Sequence, residues 1–595
     1  MQRQMRRLRD GLRLLGAAAL LSAMACATAT TTTAPGGGAP AQPDPRLALS
    51  AGWTNAGAAA RHMALIGHAD RPQGFVDPSQ LGNILLANSD MAFRGNLLFM
   101  GNFNGFQIWD VTNPRVPQLR TAFVCPGGQG DLSVYGNLLF MSVEMPNGRI
   151  DCRAGPLTPQ ANPNRFLGVR IFDISDIARP RQIAAVQTCR GSHTHTLVTN
   201  ASDRANVYIY VQGTSQVRPA SELAGCVNAG PEDPNTARFR IEVIQVPLAA
   251  PQNARIVNTP RIFANPQTGN VGGLWPGGAH GPGTQTTSTT DQCHDITAYP
   301  EIGLAAGACS GNGIVLNIAD PANPVRIDEV VDPNFAYWHS ATFNNDGSKI
   351  IFTDEWGGGT LPRCRASDRR EWGANAIFDR VGGRLQLRSY YKLPVVQSTL
   401  ENCVAHNGSL VPVPGRDIMV QAWYQGGVSV FDFTDSANPF EIAFFDRGPL
   451  SPTAMLLGGM WSAYWYNGLI YGSEIARGLD IFELQPSEHL TQNEIDAARL
   501  VRWETFNPQT QPKAVWPAEF VVARAYIDQL RRANAVSAGV LATLSSELDR
   551  IERIGDAAAR RSALAQLSVP AAAGATGVNA QRLTALAQVL RDIGR

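Results

Sequence analysis

Four histidines stand at equivalent places in a strand-rich sequence, each at the start of one of four consecutive repeat copies: His195, His294, His339 and His406. Imidazole nitrogens are common ligands for transition metals. If the repeats close into a ring, the residues that open them face the central channel and converge on one point. The sequence therefore predicts a metal site built from residues far apart in the chain. The alternative is a ring of polar side chains that binds only water.

The repeat consists of an apolar-alternating strand, a turn of Asp, Asn and Pro, and a second strand. Its clearest copies begin at Phe106, Val169, Ile314 and Val428. Short hairpins precede these copies, and their turns contain residues that tolerate positive φ, as in Arg94-Gly95-Asn96. Four strands per unit, repeated seven times between about residues 90 and 484, is typical of a β-propeller.

The predicted fold class is mainly β: a seven-bladed β-propeller closed by an N-terminal strand and followed by a small α-helical C-terminal bundle. We expect Met63–His68 to pair into the last blade, because an open sheet edge would otherwise be exposed. Amphipathic periodicity predicts helices over 517–532, 536–554 and 578–593, which dock on the propeller or on a partner. The predicted divisions are a secretory signal (1–26), a flexible linker (27–60), the propeller (61–490) and the helical region (491–595).

The motif Ile/Val-x-Asp-Val/Ile-Ser/Thr-Asp/Asn-Pro-x-x-Pro resembles the LVIVD-repeat family of extracellular bacterial β-propellers. The resemblance covers roughly residues 61–490 and is strongest in units one, two, four and six. Unit three has Gln245 where Asp is expected, and unit five carries only Phe378-Asp379-Arg380. The resemblance implies a propeller in the cell envelope, but most members of this family have no assigned chemistry.

The N-terminus has the pattern of a secretory signal, with arginines before the apolar stretch Leu12–Leu21. The sequence Ala23-Met24-Ala25-Cys26 then resembles a lipoprotein processing site, in which Cys26 is acylated. Ordinary cleavage after Ala25 or Ala27 is the alternative. We expect an exported protein of the periplasm, outer membrane or cell surface that contacts the membrane only through this lipid anchor.

Eight further cysteines remain, and an even count in an exported chain predicts disulfides. Their spacing lacks the paired pattern of a structural zinc site. Pairing between nearest neighbours is preferred, although the sequence leaves other connectivities open. The preferred pairs are Cys125–Cys152, Cys189–Cys226, Cys293–Cys309 and Cys364–Cys403.

Composition excludes several classes of partner. Net charge is +1 with 17% charged residues and no basic stripe, so no nucleic acid is expected.

The glycine-rich loop 265–292 lacks the strand-to-helix setting of a phosphate loop, so no nucleotide cofactor is expected. This loop leads into Cys293-His294, which makes Trp275 and His280 candidates for a lid. A flexible insertion is the alternative.

Other polar residues are expected at the same channel mouth, because the second strand of each unit ends where the first begins. His193 lies two residues from His195 and is able to replace it. The other neighbours predicted for the metal are Asp295, Glu144, Asp354, Glu355, Glu474 and Trp461. Imidazoles with a few carboxylates suit one ion of copper, zinc, iron or nickel.

The short piece His294-Asp295-Ile296 is also similar to the copper-dependent selenium-binding and methanethiol oxidase propellers, an architectural likeness that does not fix chemistry. The expected function is an exported propeller whose histidine-ring metal site binds a small molecule and oxidises or hydrolyses it. The alternative is a non-catalytic envelope scaffold that binds protein or glycan through blade loops and C-terminal helices. The sequence leaves open whether the protein is an enzyme.

Overall fold

Most of the regular secondary structure is strand, and the helices lie toward the C-terminus. The computed structural model describes residues 43–155, 157–158, 161–567 and 576–594. The helices are α1 Gln492–Arg499, α2 Phe520–Arg532, α3 Ala538–Glu552, α4 Ala557–Gln566 and α5 Gly577–Ile593. In chain order, the strands are β1 Ala58–Arg61, β2 Met63–Ala69, β3 Asn88–Arg94, β4 Leu97–Asn102, β5 Gly105–Asp110, β6 Gln118–Val124, β7 Leu132–Tyr135, β8 Leu138–Val143, β9 Gly168–Asp173, β10 Arg181–Gln187, β11 His195–Asn200, β12 Asp203–Val211, β13 Glu242–Pro247, β14 Arg255–Asn258, β15 Gly278–Ala279, β16 Thr286–Thr287, β17 Asp295–Tyr299, β18 Leu304–Cys309, β19 Asn312–Asn317, β20 Val325–Val330, β21 Trp338–Phe343, β22 Lys349–Asp354, β23 Asn375–Val381, β24 Arg384–Tyr391, β25 Asn407–Leu410, β26 Ile418–Ala422, β27 Val428–Asp432, β28 Phe440–Arg447, β29 Met460–Tyr466, β30 Leu469–Glu474, β31 Gly478–Leu484 and β32 Thr505–Phe506.

Most strands lie in antiparallel sheets of four. Strands β7–β10, β11–β14, β17–β20 and β21–β24 each form one sheet, and β3–β6 form another with β32 at its edge. A nine-stranded sheet contains β25–β28 with β1 and β29–β31 with β2, joined where β25 runs parallel to β29. Strands β15 and β16 form a separate hairpin. We number the seven four-strand groups units 1 to 7, from β3–β6 to β29–β31 with β2.

The N-terminal strand completes the last unit, as predicted. Strand β2 pairs antiparallel with β31, so that Met63 lies opposite Leu484. Strand β1 pairs with β28, and Arg46 donates to Glu441 at 2.8 Å. Residues 44–60 of the predicted flexible linker are therefore held against units 6 and 7. The signal segment and Cys26 lie outside the described residues.

The aspartates of the repeat motif hold its turns. In units 1, 2 and 6 the carboxylates of Asp110, Asp173 and Asp432 accept the backbone N–H two residues further on, at 3.0, 2.9 and 2.7 Å. Asn317 does the same in unit 4 at 2.9 Å. This Asx geometry reverses the chain between the third and fourth strands, which explains why the motif has Asp or Asn there.

The first strands of the units form a closed cycle of contacts. Strands β3, β7, β11, β17, β21, β25 and β29 contact one another in this order, and β29 contacts β3 again. Buried apolar clusters lie between consecutive units, including one shared by units 7 and 1. The starts of the first strands are therefore brought close together by burial of apolar surface on both faces of each sheet.

A non-helical segment between α1 and α2, which we call the crossing segment (Trp503–Trp516), bonds to all seven units in cyclic order. It contacts unit 7 through Asn467, unit 1 through β32 and unit 2 through Val134. Further along it contacts Leu197 of unit 3, Ala298 of unit 4, Phe343 of unit 5 and Pro412 of unit 6. The sequence prediction of a helical bundle over 491–595 did not include this segment.

The C-terminal helices pack on one another and on unit 6. Arg416 of unit 6 is buried and pairs with Asp432 and with Glu494 of α1. Glu494 also completes a capping box with Thr491. The predicted helices 517–532, 536–554 and 578–593 are present as α2, α3 and α5. None of the helices among the described residues has the length and apolarity needed to cross a bilayer.

The crossing segment predicts a stability effect at Gln511. Its side-chain amide accepts from the N–H of Phe343 at 3.0 Å and donates to the carbonyl of Phe343 at 2.9 Å. Gln511→Ala leaves both buried backbone groups unpaired and should lower the free energy of unfolding by about 1–3 kcal/mol. Gln588→Ala, which removes an exposed amide of α5, should change it by less than about 0.5 kcal/mol. If chemical denaturation shows the same loss of stability in both variants, the structural role of the Gln511 side chain is wrong.

Candidate metal centre

Four imidazoles, three of them buried and the fourth, His193, partly buried, form a row at the starts of units 3 to 6. His294 and His406 directly precede β17 and β25, His339 lies in β21, and His193 lies two residues before β11. Ring centroids are 4.3 Å apart for His193 and His294, 4.0 Å for His294 and His339, and 4.4 Å for His339 and His406. The closed cycle of first strands thus brings these residues into one group across more than 200 residues of sequence.

Two carboxylates complete the group. The oxygens of Glu355 lie 3.9 Å from Nε2 of His339 and 3.6 Å from Nε2 of His406. Oδ1 of Asp295 lies 3.4 Å from Nδ1 of His294. Within each of the sets His294–Asp295–His339 and His339–Glu355–His406, one ligand atom per residue lies within 4.8 Å of the others, and all five residues are buried. These groups could hold a metal ion.

Hydrogen bonds orient the rings. Nδ1 of His406 contacts the carbonyl oxygen of Trp461, which only accepts, so Nδ1 carries the proton and Nε2 is left with a lone pair. Nδ1 of His339 lies 3.3 Å from the hydroxyl of Thr353, and its Nε2 has no partner. Bonds of this kind on the far nitrogen fix metal-ligating histidines in known sites.

Several atoms of the group are buried without a hydrogen-bond partner. They are Nδ1 of His294, Nε2 of His339 and Oδ1 of Asp295. An unpaired buried polar atom costs about 1–3 kcal/mol, and here three such atoms belong to one set of neighbouring residues. A cation bound between them removes this cost, so the residues fit a metal ion.

Burial keeps the imidazoles neutral. It lowers the pKa of His406 to about 3, and burial together with neighbouring histidines lowers the pKa of His294 and His339 well below the usual value. Burial likewise raises the pKa of Glu355 to about 7 and that of Asp295 to about 6. Neutral imidazole is the form that ligates metals, so the rings need not lose protons to bind one.

His193 differs from the other three because it is paired with a carboxylate. Its Nδ1 lies 2.6 Å from Oε2 of Glu144. Burial alone would lower the pKa of His193, but the charge and hydrogen bond of Glu144 outweigh burial and raise it to about 9. His193 is therefore an imidazolium that borders the neutral group.

The structure places His195 outside the group, which corrects the prediction for this residue. The hydroxyls of Thr194 and Thr196 donate to the carbonyls of His294 and Ile296, so Thr194 lies beside His294. The ring of His195 turns toward unit 2, where Ser133 and Ser142 bond its two nitrogens at 2.7 and 2.8 Å. His195 has no free nitrogen for a metal, and His193 takes its place in the row.

Two predicted carboxylates have structural partners instead. Asp354 accepts backbone N–H groups of Ala336 and Tyr337 at 3.0 Å and of Gly373 at 2.8 Å. Glu474 accepts those of Gly459 and Ala476 at 2.9 and 2.7 Å and pairs with Arg477. Both carboxylates hold loops at the ends of second strands. Neither belongs to the groups that could hold a metal.

A cavity of about 520 Å³ adjoins the histidine row. Sequence reasoning missed Tyr424 and Tyr337 there, since both lie in loops without a repeat pattern. Tyr424 adopts a φ of 53° and donates to Glu355 at 2.6 Å. A Cβ at Gly359 would lie 2.2 Å from the Tyr424 phenol, so the phenol position requires glycine there. The lining residues are Ile84, Phe103, Glu144, His193, Thr286, Ser288, His294, Ala336, Tyr337, Glu355, Gly357, Gly358, Thr360, His406, Tyr424, Leu457 and Trp461.

The proposed lid residues contact each other and do not line this cavity. The rings of Trp275 and His280 stack with centroids 3.7 Å apart in and beside the β15–β16 hairpin. The same loop reaches the cavity through Thr286 and Ser288. Ser288 donates its N–H to the carbonyl of Ala336, which ties the loop to unit 5.

All four predicted disulfides are present. They join Cys125 to Cys152, Cys189 to Cys226, Cys293 to Cys309 and Cys364 to Cys403. The Cys293–Cys309 bond directly precedes His294 and links the start of β17 to the end of β18. Four disulfides are consistent with an exported protein.

Comparisons with known proteins do not assign a family. No family model and no curated protein matches the chain. Among solved structures, Raptor of Chaetomium thermophilum matches with TM-score 0.39 and 12% identity over 71% of this chain, which is 29% of Raptor. Hydrazine synthase of Kuenenia stuttgartiensis matches with TM-score 0.37 and 12% identity, over 64% of this chain and 89% of that one. The N-terminal domain of Nup159 matches with TM-score 0.37 and 9% identity, over 71% and 95%.

The position of His195 predicts a structural role. His195→Ala removes a buried ring bonded on both nitrogens and leaves two buried hydroxyls without this partner. The free energy of unfolding should fall by about 2–4 kcal/mol. His489→Ala is the matched control, because the His489 side chain is 40% exposed; it should be nearly neutral. If both variants unfold at the same denaturant concentration, the structural role of His195 is wrong.

Proposed function

We propose that the protein is an exported seven-bladed β-propeller of the LVIVD type that binds one transition-metal ion and presents it to a small molecule. The closed cycle of seven first strands supports the ring. The crossing segment supports it independently, since fourteen residues reach the units in the order 7, 1, 2, 3, 4, 5 and 6. A lipid anchor at Cys26 remains part of the proposal.

One observation carries the metal site: imidazole nitrogens of His294 and His339 are buried without partners, and His339 belongs both to a set with His294 and Asp295 and to a set with Glu355 and His406. We propose His294, His339 and His406 as ligands, with Glu355 as the carboxylate ligand and Asp295 beside His294. Three imidazoles and a carboxylate suit copper, zinc, iron or nickel.

The cavity supports a functional role for the ion in place of a purely structural one. His294, His406 and Glu355 all line it, so a small molecule in the cavity reaches the ligand set. Structural metal sites are closed by protein ligands, whereas catalytic sites keep a position open to substrate. A bound transition metal would supply Lewis-acid or redox chemistry, and hydrolysis or oxidation of the small molecule is the proposed activity.

The residues around the ion have separate roles. The Trp461 carbonyl keeps the His406 proton on Nδ1, and Tyr424 donates to Glu355 and orients its carboxylate. The imidazolium of His193 with Glu144 offers a proton-bearing group at the cavity wall, next to His294. Phe103, Trp461 and Leu457 belong to one apolar cluster and contribute apolar surface to the lining on the side of His406.

Metal analysis tests the proposal directly. Tag-free protein produced with copper, zinc, iron and nickel supplied should contain about one ion per chain, which mass spectrometry of the elements measures. His339→Ala and His406→Ala should lose it. His489→Ala and His280→Ala, which remove histidines outside the row, should retain it. Circular dichroism checks that the variants fold. Folded wild-type protein that takes up no metal under these conditions would refute the proposal.

Tyr424→Phe tests the orienting role of the phenol. This variant keeps the ring and removes only the hydroxyl that holds Glu355. Loss of a partner that orients a ligand costs about 10–100-fold in metal affinity, so the dissociation constant, measured by competition with a chelator, should rise by that factor. Tyr208→Phe removes a hydroxyl far from the site, bonded to Asp203, and should leave the affinity unchanged. An unchanged affinity in Tyr424→Phe would mean that Glu355 does not depend on this contact.

A further inference from the structure

The cavity beside the metal centre has a lining that metal binding alone does not require. Four aromatic side chains contribute to it: Phe103, Tyr337, Tyr424 and Trp461. Its volume of about 520 Å³ falls within the range of roughly 300–1,000 Å³ that is usual for small-molecule sites. The lining therefore limits the class of molecule that can bind in the cavity.

The aromatic rings stand beside two members of the histidine row, His406 and His294. Trp461 lies nearly perpendicular to Phe103, Tyr424 and His406, with centroids 5.9, 6.1 and 5.1 Å away. Tyr337 lies 5.7 Å from His294 at 88°. Edge-to-face packing of this kind is the preferred contact between aromatic rings. The aromatic ring of a bound molecule can make the same edge-to-face contacts with these side chains.

The charges of the cavity are already balanced. None of the described residues that line it is Lys or Arg. Glu144 is paired with His193 at 2.6 Å, and Glu355 accepts from Tyr424. The carboxylates of Glu355 and Asp295 lie against the ligand histidines, where they would face the bound cation. A charged group on the bound molecule, whether anionic or cationic, would find no free group of opposite charge in the lining. Burial of an unpaired charge is costly.

Hydroxyl groups provide the remaining polar contacts. Thr286, Ser288 and Thr360 line the cavity, and hydroxyls bond uncharged donors and acceptors equally well. An oxygen on the bound molecule would complete the coordination of the metal, since oxygen and nitrogen atoms both ligate these ions.

From this lining we infer that the cavity takes an uncharged aromatic molecule whose hydroxyl or carbonyl oxygen reaches the metal ion. This inference rests on the proposed function, because the ion forms part of the binding surface. It goes further by naming the substrate class: phenol-like compounds and aromatic carbonyl compounds, to the exclusion of phosphates, carboxylates and amines.

Four probes of similar size separate charge from aromaticity in titration calorimetry on the zinc-loaded protein at pH 7. They are 4-ethylphenol (uncharged, aromatic), 4-hydroxyphenylacetate (anionic), tyramine (cationic) and 4-ethylcyclohexanol (uncharged, saturated). We expect 4-ethylphenol to bind at least about tenfold more tightly than each of the others. An anion or amine that binds as tightly as 4-ethylphenol overturns the charge argument. Equal binding of the saturated alcohol overturns the aromatic one, and zinc-loaded protein that binds none of the probes overturns both.

A variant of an aromatic residue in the cavity lining provides a second test. Phe103→Leu keeps an apolar side chain and removes the ring; it should weaken 4-ethylphenol binding about threefold to tenfold with zinc content unchanged. Phe440→Leu is the matched control, because Phe440 is 44% exposed on unit 6; it should bind like the wild type. Equal affinity of both variants would contradict the inference while leaving the metal site intact. Wild-type protein that holds no zinc would instead contradict the proposed function. If that metal-free protein also shows no preference for 4-ethylphenol, the inference is wrong as well.

Discussion

Burial of three neutral imidazoles whose nitrogens lack protein partners is the constraint on which the candidate site depends. His294, His339 and His406 are at most 6% exposed. Removal of water disfavours their protonated forms, and it also leaves Nδ1 of His294 and Nε2 of His339 without a hydrogen bond. A protein tolerates such unpaired atoms when another interaction compensates them. A metal ion provides that interaction without any change in protonation of the rings.

The fold supplies this arrangement through constraints that lie far from the histidines. Each first strand is fixed between apolar clusters on its two sides, so the strand starts have little freedom to separate. The crossing segment then ties the units together with side-chain amides that bond as a neighbouring strand would, Asn507 to Val134 and Gln511 to Phe343. The Cys293–Cys309 disulfide fixes the chain directly before His294. The position of the ligands is therefore a property of the whole set of units.

Much of the fold could be predicted from the sequence because local chemistry determines it. The Asp or Asn of the repeat motif forms an Asx turn in units 1, 2, 4 and 6, which were recognisable from their pattern. Met63–His68 has the apolar alternation of a strand and no partner nearby in sequence, which correctly predicted its pairing with β31. Nearest-neighbour cysteines lie in loops or at strand ends of the same or adjacent units, so the simplest pairing was right.

The site itself was only partly predictable. Three histidines were found because they share a position relative to a strand start. In unit 3 the residue beside His294 is Thr194, so His193 and His195 flank that position. No pattern in the sequence reveals which of the two rings joins the row. Tyr424 and Tyr337 lie in irregular loops, where position depends on tertiary contacts. The crossing segment lacks any periodicity, since its bonds go to seven different units.

Anomalous diffraction at the absorption edge of the bound metal, from crystals of tag-free protein, would locate the ion. We expect one strong peak beside the cavity, about 2.0–2.2 Å from Nε2 of His339 and Nε2 of His406 and within reach of Glu355. A peak found only at the exposed group of His62, Glu488 and His489, or an occupied row in which His195 has replaced His193, would contradict it.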